Sequence, residues 1–267
     1  TVLEHVQRLV SRTAGSRTTV GLAVPNPRSL TPAGLRAVHE FAREHGMTTS
    51  IHLLETTTDD DMCREHAGVG AVEYLAAEGF LDDRTLTVHG VALGPADIAT
   101  LAATGAAVSH NPISNMRLGS GVAPVLDLRA AGVPVGLGVD GAASNDRQDM
   151  LETLRLTAYL QRALHRRADA LGFGDVVAMA VDGAGAALGL PRRPGGGVTV
   201  GTPADLVLVR FDRDFGCLPV TEPGAALLTT GSPRVVDTVL VDGEVVLRDG
   251  RSTRIDEGVL TERLLGL

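Results

Sequence analysis

The chain has 267 residues, a formal charge of −8, 44% hydrophobic residues, 3% aromatics and no Trp. That length suits one α/β barrel or two small domains, with a core of Ala, Val and Leu. Its 24 basic residues are all Arg and are scattered, so the basic stripe that nucleic acid requires is missing and no nucleic-acid partner is expected. With no apolar run of 18 residues and no secretory pattern, a cytoplasmic protein without a membrane span is the expectation.

The chain opens on Thr rather than Met, inside an expected helix over Val2–Val10, and an absent upstream part is anticipated. A β-branched run from Thr18 to Val24 ends at Pro25-Asn26-Pro27. Thr31-Pro32 has the form of an N-cap and first turn, predicting a helix to about His45. A strand over 48–52 ends on His52, and a helix follows from about Val69 to Glu78. The next strand ends on His89, and a helix over Pro95–Ala103 closes at Gly105. Ala106–Ser109 is read as a strand ending on His110. A helix over Ala123–Ala131 leads to a strand over 134–139 that ends on Asp140, and a long helix runs from Asp149 to Arg167.

Strands alternating with helices over short connections predict parallel βα units. Five such units fall short of the eight of a closed barrel. The expected fold is therefore α/β, a partial (β/α)8 TIM-like barrel over residues 1–190 with a small C-terminal β appendage over 191–267. In the tail, Pro194–Gly197 is read as a linker, 198–209 as a turn and strand, and 235–240 with 244–247 as a β-hairpin around Val241-Asp242-Gly243.

Three apolar stretches thus end on ligand-type side chains, His52, His89 and Asp140, at the rim where parallel α/β sheets build their sites. His52-Leu53-Leu54-Glu55 sets a carboxylate three residues beyond a strand-end imidazole. If His52 holds a divalent cation, Glu55 lies in the loop above it, placed to pass a proton, and Asp140 is able to bind the same ion and take a proton from its water, a catalytic as well as a ligand role. A cation-bound water ionises near neutral pH. His89 is a further candidate ligand or a partner of that water. Neutral His and carboxylate ligands suit Zn2+ or Fe2+ alike.

The runs His52-Leu53-Leu54-Glu55-Thr56, Ala71–Leu75, Val88-His89-Gly90, Ser109–Gly121 and Gly138–Asp146 resemble the amidohydrolase superfamily. The branch they resemble holds the 8-oxoguanine deaminases, the atrazine-type hydrolases and the adenosylhomocysteine deaminases. The spacings agree, with 37 residues from His52 to His89 (89 − 52) and 51 from His89 to Asp140 (140 − 89). The resemblance covers about Thr18 to Gly250 and leans to the 8-oxoguanine deaminases. It implies that His52 and Asp140 bind one divalent metal, with zinc favoured over iron, and that His89 sits beside it. Glu55 would shuttle a proton to a ring nitrogen and then to the leaving amine of a small heteroaromatic substrate. It also implies a homo-oligomer.

The chain departs from that pattern in lacking any His-x-His, the pair that family members carry after their first strand. Two readings follow. One is a hydrolytic deaminase of an amino-substituted nitrogen heteroaromatic, with dechlorination as a variant of the same chemistry. The other is a truncated, inactive half-barrel remnant with open sheet edges.

The remaining candidates have alternative readings. His110 is a substrate contact or a supporting hydrogen-bond partner. Asn115 and Arg117 hold a heteroaromatic group or brace the loop turned by Gly119 and Gly121. Ser144 contacts substrate or only helps to cap the following helix. His5, His39, His45, His66 and His165 are expected at the surface or at helix ends. Asp59-Asp60-Asp61 is a solvated loop or a charge cluster at a helix N-terminus. Cys63 and Cys217 form no disulfide framework, and Cys63 is expected to be buried in the loop after the His52 strand.

Overall fold

The computed structural model describes residues 2–190 and 197–266. It divides into two compact units, Thr1–Gln148 with Leu156–Arg192, and Asp149–Arg155 with Arg193–Leu267. The linker expected at 194–197 lies outside the described residues except for Gly197.

In the first unit the helix α1 (Val2–Thr13) precedes strand β1 (Leu22–Val24) and helix α2 (Pro32–Glu44). Thr31 caps α2, its hydroxyl accepting from Gly34 N at 3.2 Å, with Pro32 at the first turn where a missing N–H costs nothing. Strand β2 (Thr49–Leu53) leads to α3 (Thr58–Ala67) and α4 (Ala71–Ala77), and β3 (Thr85–His89) to α5 (Pro95–Thr104). Strand β4 (Ala107–His110) leads to α6 (Pro112–Arg117) and α7 (Val125–Ala130), and β5 (Val135–Leu137) to α8 (Ala142–Asn145). Helix α9 (Met150–His165) then precedes α10 (Phe173–Ala178), a π-helical turn Met179–Gly183, and α11 (Ala184–Ala187).

Strands β1 to β5 form one parallel sheet in chain order. The helices between them supply the crossovers that parallel pairing demands. The result is a partial barrel of five βα units. Ile51, Leu53, Val108 and Val135 are buried, as are Leu75, Leu101 and Leu128 of the covering helices. A satellite cluster of Val6, Ala42 and Met47 seats α1 on α2.

Several expected elements shift. The strand expected over 18–24 shortens to Leu22–Val24. The His52 strand continues one residue further, to Leu53. Asp59–Asp61 lie in the first turn of α3, and Cys63 is buried in that helix rather than in a loop. Residues 112–117 form a helix that neither Pro112 nor the glycines after it suggested. His39 is not a surface residue. It is buried beside Phe80, with Nε2 3.3 Å from Asp82 Oδ2.

The second unit holds an antiparallel sheet of β6 (Leu206–Val209), β7 (Val236–Val241), β8 (Glu244–Arg248) and β9 (Arg251–Ser252) in that order. The β7–β8 hairpin turns at Asp242-Gly243, where both residues take positive φ. Helices α12 (Pro223–Thr229) and α13 (Glu257–Leu265) accompany the sheet. Glu222 caps α12 by accepting from Gly224 N, and Asp256 caps α13 by accepting from Val259 N. No helix among the described residues is long and apolar enough to cross a membrane.

Candidate active site

His52 is exposed on β2, and its Nδ1 lies 2.9 Å from the Pro25 carbonyl oxygen. A carbonyl only accepts, so Nδ1 carries the proton and the lone pair is left on Nε2. One residue of loop later, Leu54 takes φ 51, an unusual conformation for a bulky side chain. Two bonds hold it there. The Leu54 N–H donates to Asp59 Oδ2 at 2.9 Å, and the Leu54 carbonyl accepts from Ala92 N at 2.9 Å. Glu55 is delivered by this turn.

His89 ends β3, buried and with φ 77. Strand register pairs His52 with Val88 and Leu53 with His89. Simple alternation would therefore set the two imidazoles on opposite faces. The left-handed backbone at His89 breaks that alternation, and the two rings stack with centroids 5.4 Å apart. His89 Nε2 lies 3.8 Å from Glu55 Oε2, and its Nδ1 lies 2.9 Å from Asn115 Oδ1.

Asp140 lies three residues beyond β5, with φ 61. Its Oδ2 accepts from Ser114 Oγ at 2.6 Å and its Oδ1 from Gly141 N at 2.7 Å. Burial alone would raise this carboxyl, but the hydrogen bonds from Ser114 and Gly141 outweigh it and hold the pKa below the usual carboxylate value. Asp140 is therefore an anion near neutral pH.

The other expected residues are placed differently. His110 ends β4, fully buried, with neither ring nitrogen hydrogen-bonded. Burial first, and the neighbouring His89 second, push its pKa down to about 4. Asn115 is buried and turned to His89, while the Arg117 guanidinium is paired to Asp146 through Nε at 2.5 Å and Nη2 at 3.2 Å. Ser144 Oγ donates to the Gly141 carbonyl at 3.1 Å. Three contributors carry no signal in the sequence taken alone: Ser114, Ser120 (whose Oγ donates to Glu55 Oε1 at 3.1 Å) and Asp59.

Whether these residues suit a metal ion turns on the donor set. His52 has the geometry of an imidazole ligand, with one nitrogen fixed by a backbone carbonyl and the other free. Asp140 is an ionised carboxylate at the same rim. Imidazole and carboxylate are donor types that a divalent ion accepts. Among the described residues, however, no group of three or more His, Cys, Asp or Glu converges to hold an ion.

The sequence profile of the amidohydrolase family matches residues 1–246. The chain belongs to the amidohydrolase family. Within it, the chain is 36% identical over 267 residues to the 8-oxoguanine deaminase of Pseudomonas aeruginosa, spanning 98% of this chain and 58% of that protein. It is 39% identical over 254 residues to a 5-methylthioadenosine/S-adenosylhomocysteine deaminase of Desulforudis audaxviator, spanning 95% and 58%. Among solved structures it is similar to an adenosine deaminase from Xanthomonas campestris with bound zinc, at TM-score 0.92 and 27% identity, covering 98% of this chain and 60% of that one. It is also similar to the zinc complex of atrazine chlorohydrolase from Arthrobacter aurescens, at TM-score 0.90 and 26% identity, covering 99% and 59%. This amidohydrolase chain thus spans just under three fifths of the length of the two curated relatives.

Proposed function

We propose that this chain carries part of the active site of a hydrolytic deaminase that acts on an amino-substituted nitrogen heteroaromatic. The observation that carries the reading is the convergence of His52, Glu55 and His89, two stacked imidazoles with a carboxylate 3.8 Å from one of them. The deaminase names of the relatives support it, and the zinc in the similar structures supports a divalent ion.

His52 and Asp140 would hold that ion. Bound there, it would supply ionised water near neutral pH. Glu55 would take a proton from the attacking water and pass it to a ring nitrogen, then carry the second proton of that water to the departing amine, so that water and the amine become a ring carbonyl and ammonia. Its 30% exposure leaves the carboxylate open to a substrate. His89, buried and fixed through Nδ1, orients the attacking oxygen through Nε2. Between purine deaminations the 8-oxoguanine reading is preferred, on the segments Asn115–Gly121 and Gly141–Asp146.

The test is ammonia release by the zinc-loaded, full-length protein from 8-oxoguanine, guanine, isoxanthopterin, 5-methylthioadenosine and S-adenosylhomocysteine. Release from one of these, reduced about 10²- to 10⁴-fold in Glu55→Gln, is the expected result. No ammonia from any of them with zinc bound overturns the proposal, and chloride release from a chlorotriazine would replace it with dechlorination.

A further inference from the structure

The segment after β4 reaches three of the proposed active residues at once. Ser114 donates to Asp140 at 2.6 Å, Asn115 Oδ1 lies 2.9 Å from His89 Nδ1, and Ser120 donates to Glu55 Oε1 at 3.1 Å. These partners come from the exits of three different strands, β5, β3 and β2. Ser114 and Asn115 are adjacent in α6 and both fully enclosed, so each has little freedom to choose another partner.

The path of the chain makes this triple reach possible. Leu118 N and Gly119 N close α6 on the carbonyls of Ser114 and Met116. Gly119 then takes φ 71 and turns the chain back, and Ser120 N bonds to the Asn115 carbonyl at 2.8 Å. Gly121 follows at φ 124, where a side-chain carbon would meet Val91 Cγ1 at 2.9 Å. Ser120 is thereby fixed to the backbone of the same residue whose side chain holds His89.

We propose that Ser114, Asn115 and Ser120 are positioning residues, one each for Asp140, His89 and Glu55. The proposal rests on the deaminase reading for its consequence and on the geometry alone for its substance. Asn115 is the decisive member. An amide oxygen only accepts, so the proton of His89 sits on Nδ1, and in the neutral ring the lone pair sits on Nε2, facing Glu55. Ser120, by occupying Glu55 Oε1, leaves Oε2 as the oxygen toward His89. The segment therefore sets which nitrogen accepts and which oxygen faces it.

The experiment labels the protein with 15N at histidine and reads the His89 tautomer from long-range proton–nitrogen correlations, assigned by the signals lost in His89→Gln. The expected result is an Nδ1–H tautomer in the unaltered protein, kept in Asn115→Asp, which still offers an accepting oxygen, and lost in Asn115→Leu. An Nε2–H tautomer in the unaltered protein overturns the proposal with no variant needed. So does an unchanged His89 tautomer in Asn115→Leu, or its loss in Asn115→Asp. With the deaminase assay, Asn115→Leu, Ser114→Ala and Ser120→Ala are each expected to lower kcat about 10- to 100-fold with KM within about twofold. Unchanged kcat in all three overturns the set. A tautomer that follows Asn115 in a protein that releases no ammonia supports the positioning and overturns the deaminase reading instead.

Discussion

Asp59 holds Leu54 in place: its carboxylate accepts the Leu54 backbone N–H at 2.9 Å, five residues back along the chain. Leu54 is fully buried and sits at φ 51, and this bond together with the one from Ala92 helps to hold an unfavourable backbone state. Asp59→Ala leaves a buried N–H unpaired and is expected to cost about 1–3 kcal/mol of stability. Asp59→Asn keeps an accepting oxygen and should cost less. Urea denaturation midpoints of the two variants check the order, and equal midpoints would remove Asp59 from this role.

His110 makes stability depend on pH. Its folded pKa of about 4 lies below the unfolded value of 6.5, so the unfolded chain binds more protons between those limits. Its contribution is full above pH 6.5 and is lost as pH falls toward 4. The 2.5-unit difference corresponds to about 3 kcal/mol. His110→Asn should flatten the stability profile over that window, measured by denaturation at successive pH values. A profile of unchanged slope would count against the burial argument.

Gly138 lies between β5 and Asp140 with its α-carbon against Asn111 and Ser109. A methyl group there would overlap Asn111 Oδ1 and meet Ser109 Oγ at 2.8 Å. Asn111 is buried. Gly138→Ala is expected to cost about 1–3 kcal/mol, read as a fall in Tm by differential scanning calorimetry. A Tm within one degree of the parent would show that the loop shifts freely.

In the second unit Arg155 donates through Nε to the Leu228 carbonyl at 2.9 Å and through Nη2 to the Gly231 carbonyl. These carbonyls lie at the C-terminal end of α12, where a cation is favoured. Arg155→Met keeps most of the stem and removes both bonds, with an expected loss of about 2 kcal/mol. Hydrogen exchange over 223–231 should accelerate, and unchanged protection would refute the link.

The sequence carried the strand–helix alternation because the strands are short runs rich in apolar and β-branched residues, bounded by turn residues or a polar side chain. The strand 85–89 is found as Thr85–His89, and the expected hairpin turns at Asp242-Gly243. Less legible was anything set by backbone twist or by side chains meeting across strands. Alternation places His52 and His89 on opposite faces, and only the positive φ of His89 brings them together. No helix is expected between the strand ending on His110 and residue 123, yet Pro112 starts one, because position N1 needs no N–H. Arg117 reads as a donor for a substrate, yet Asp146, 29 residues on, takes its guanidinium. His39 looked like a surface histidine because nothing local announces Asp82, 43 residues away, as its partner.

Left-handed backbone recurs at Leu54, His89 and Asp140, each at or just past a strand exit of the parallel sheet. Glycine would relax any of these positions, but at 89 and 140 it would delete a side chain that the mouth of the sheet depends on. Glycine at 89 would strand the buried Asn115 amide and glycine at 140 would strand the buried Ser114 hydroxyl, so relief of the backbone and pairing of the side chains pull in opposite directions along this rim.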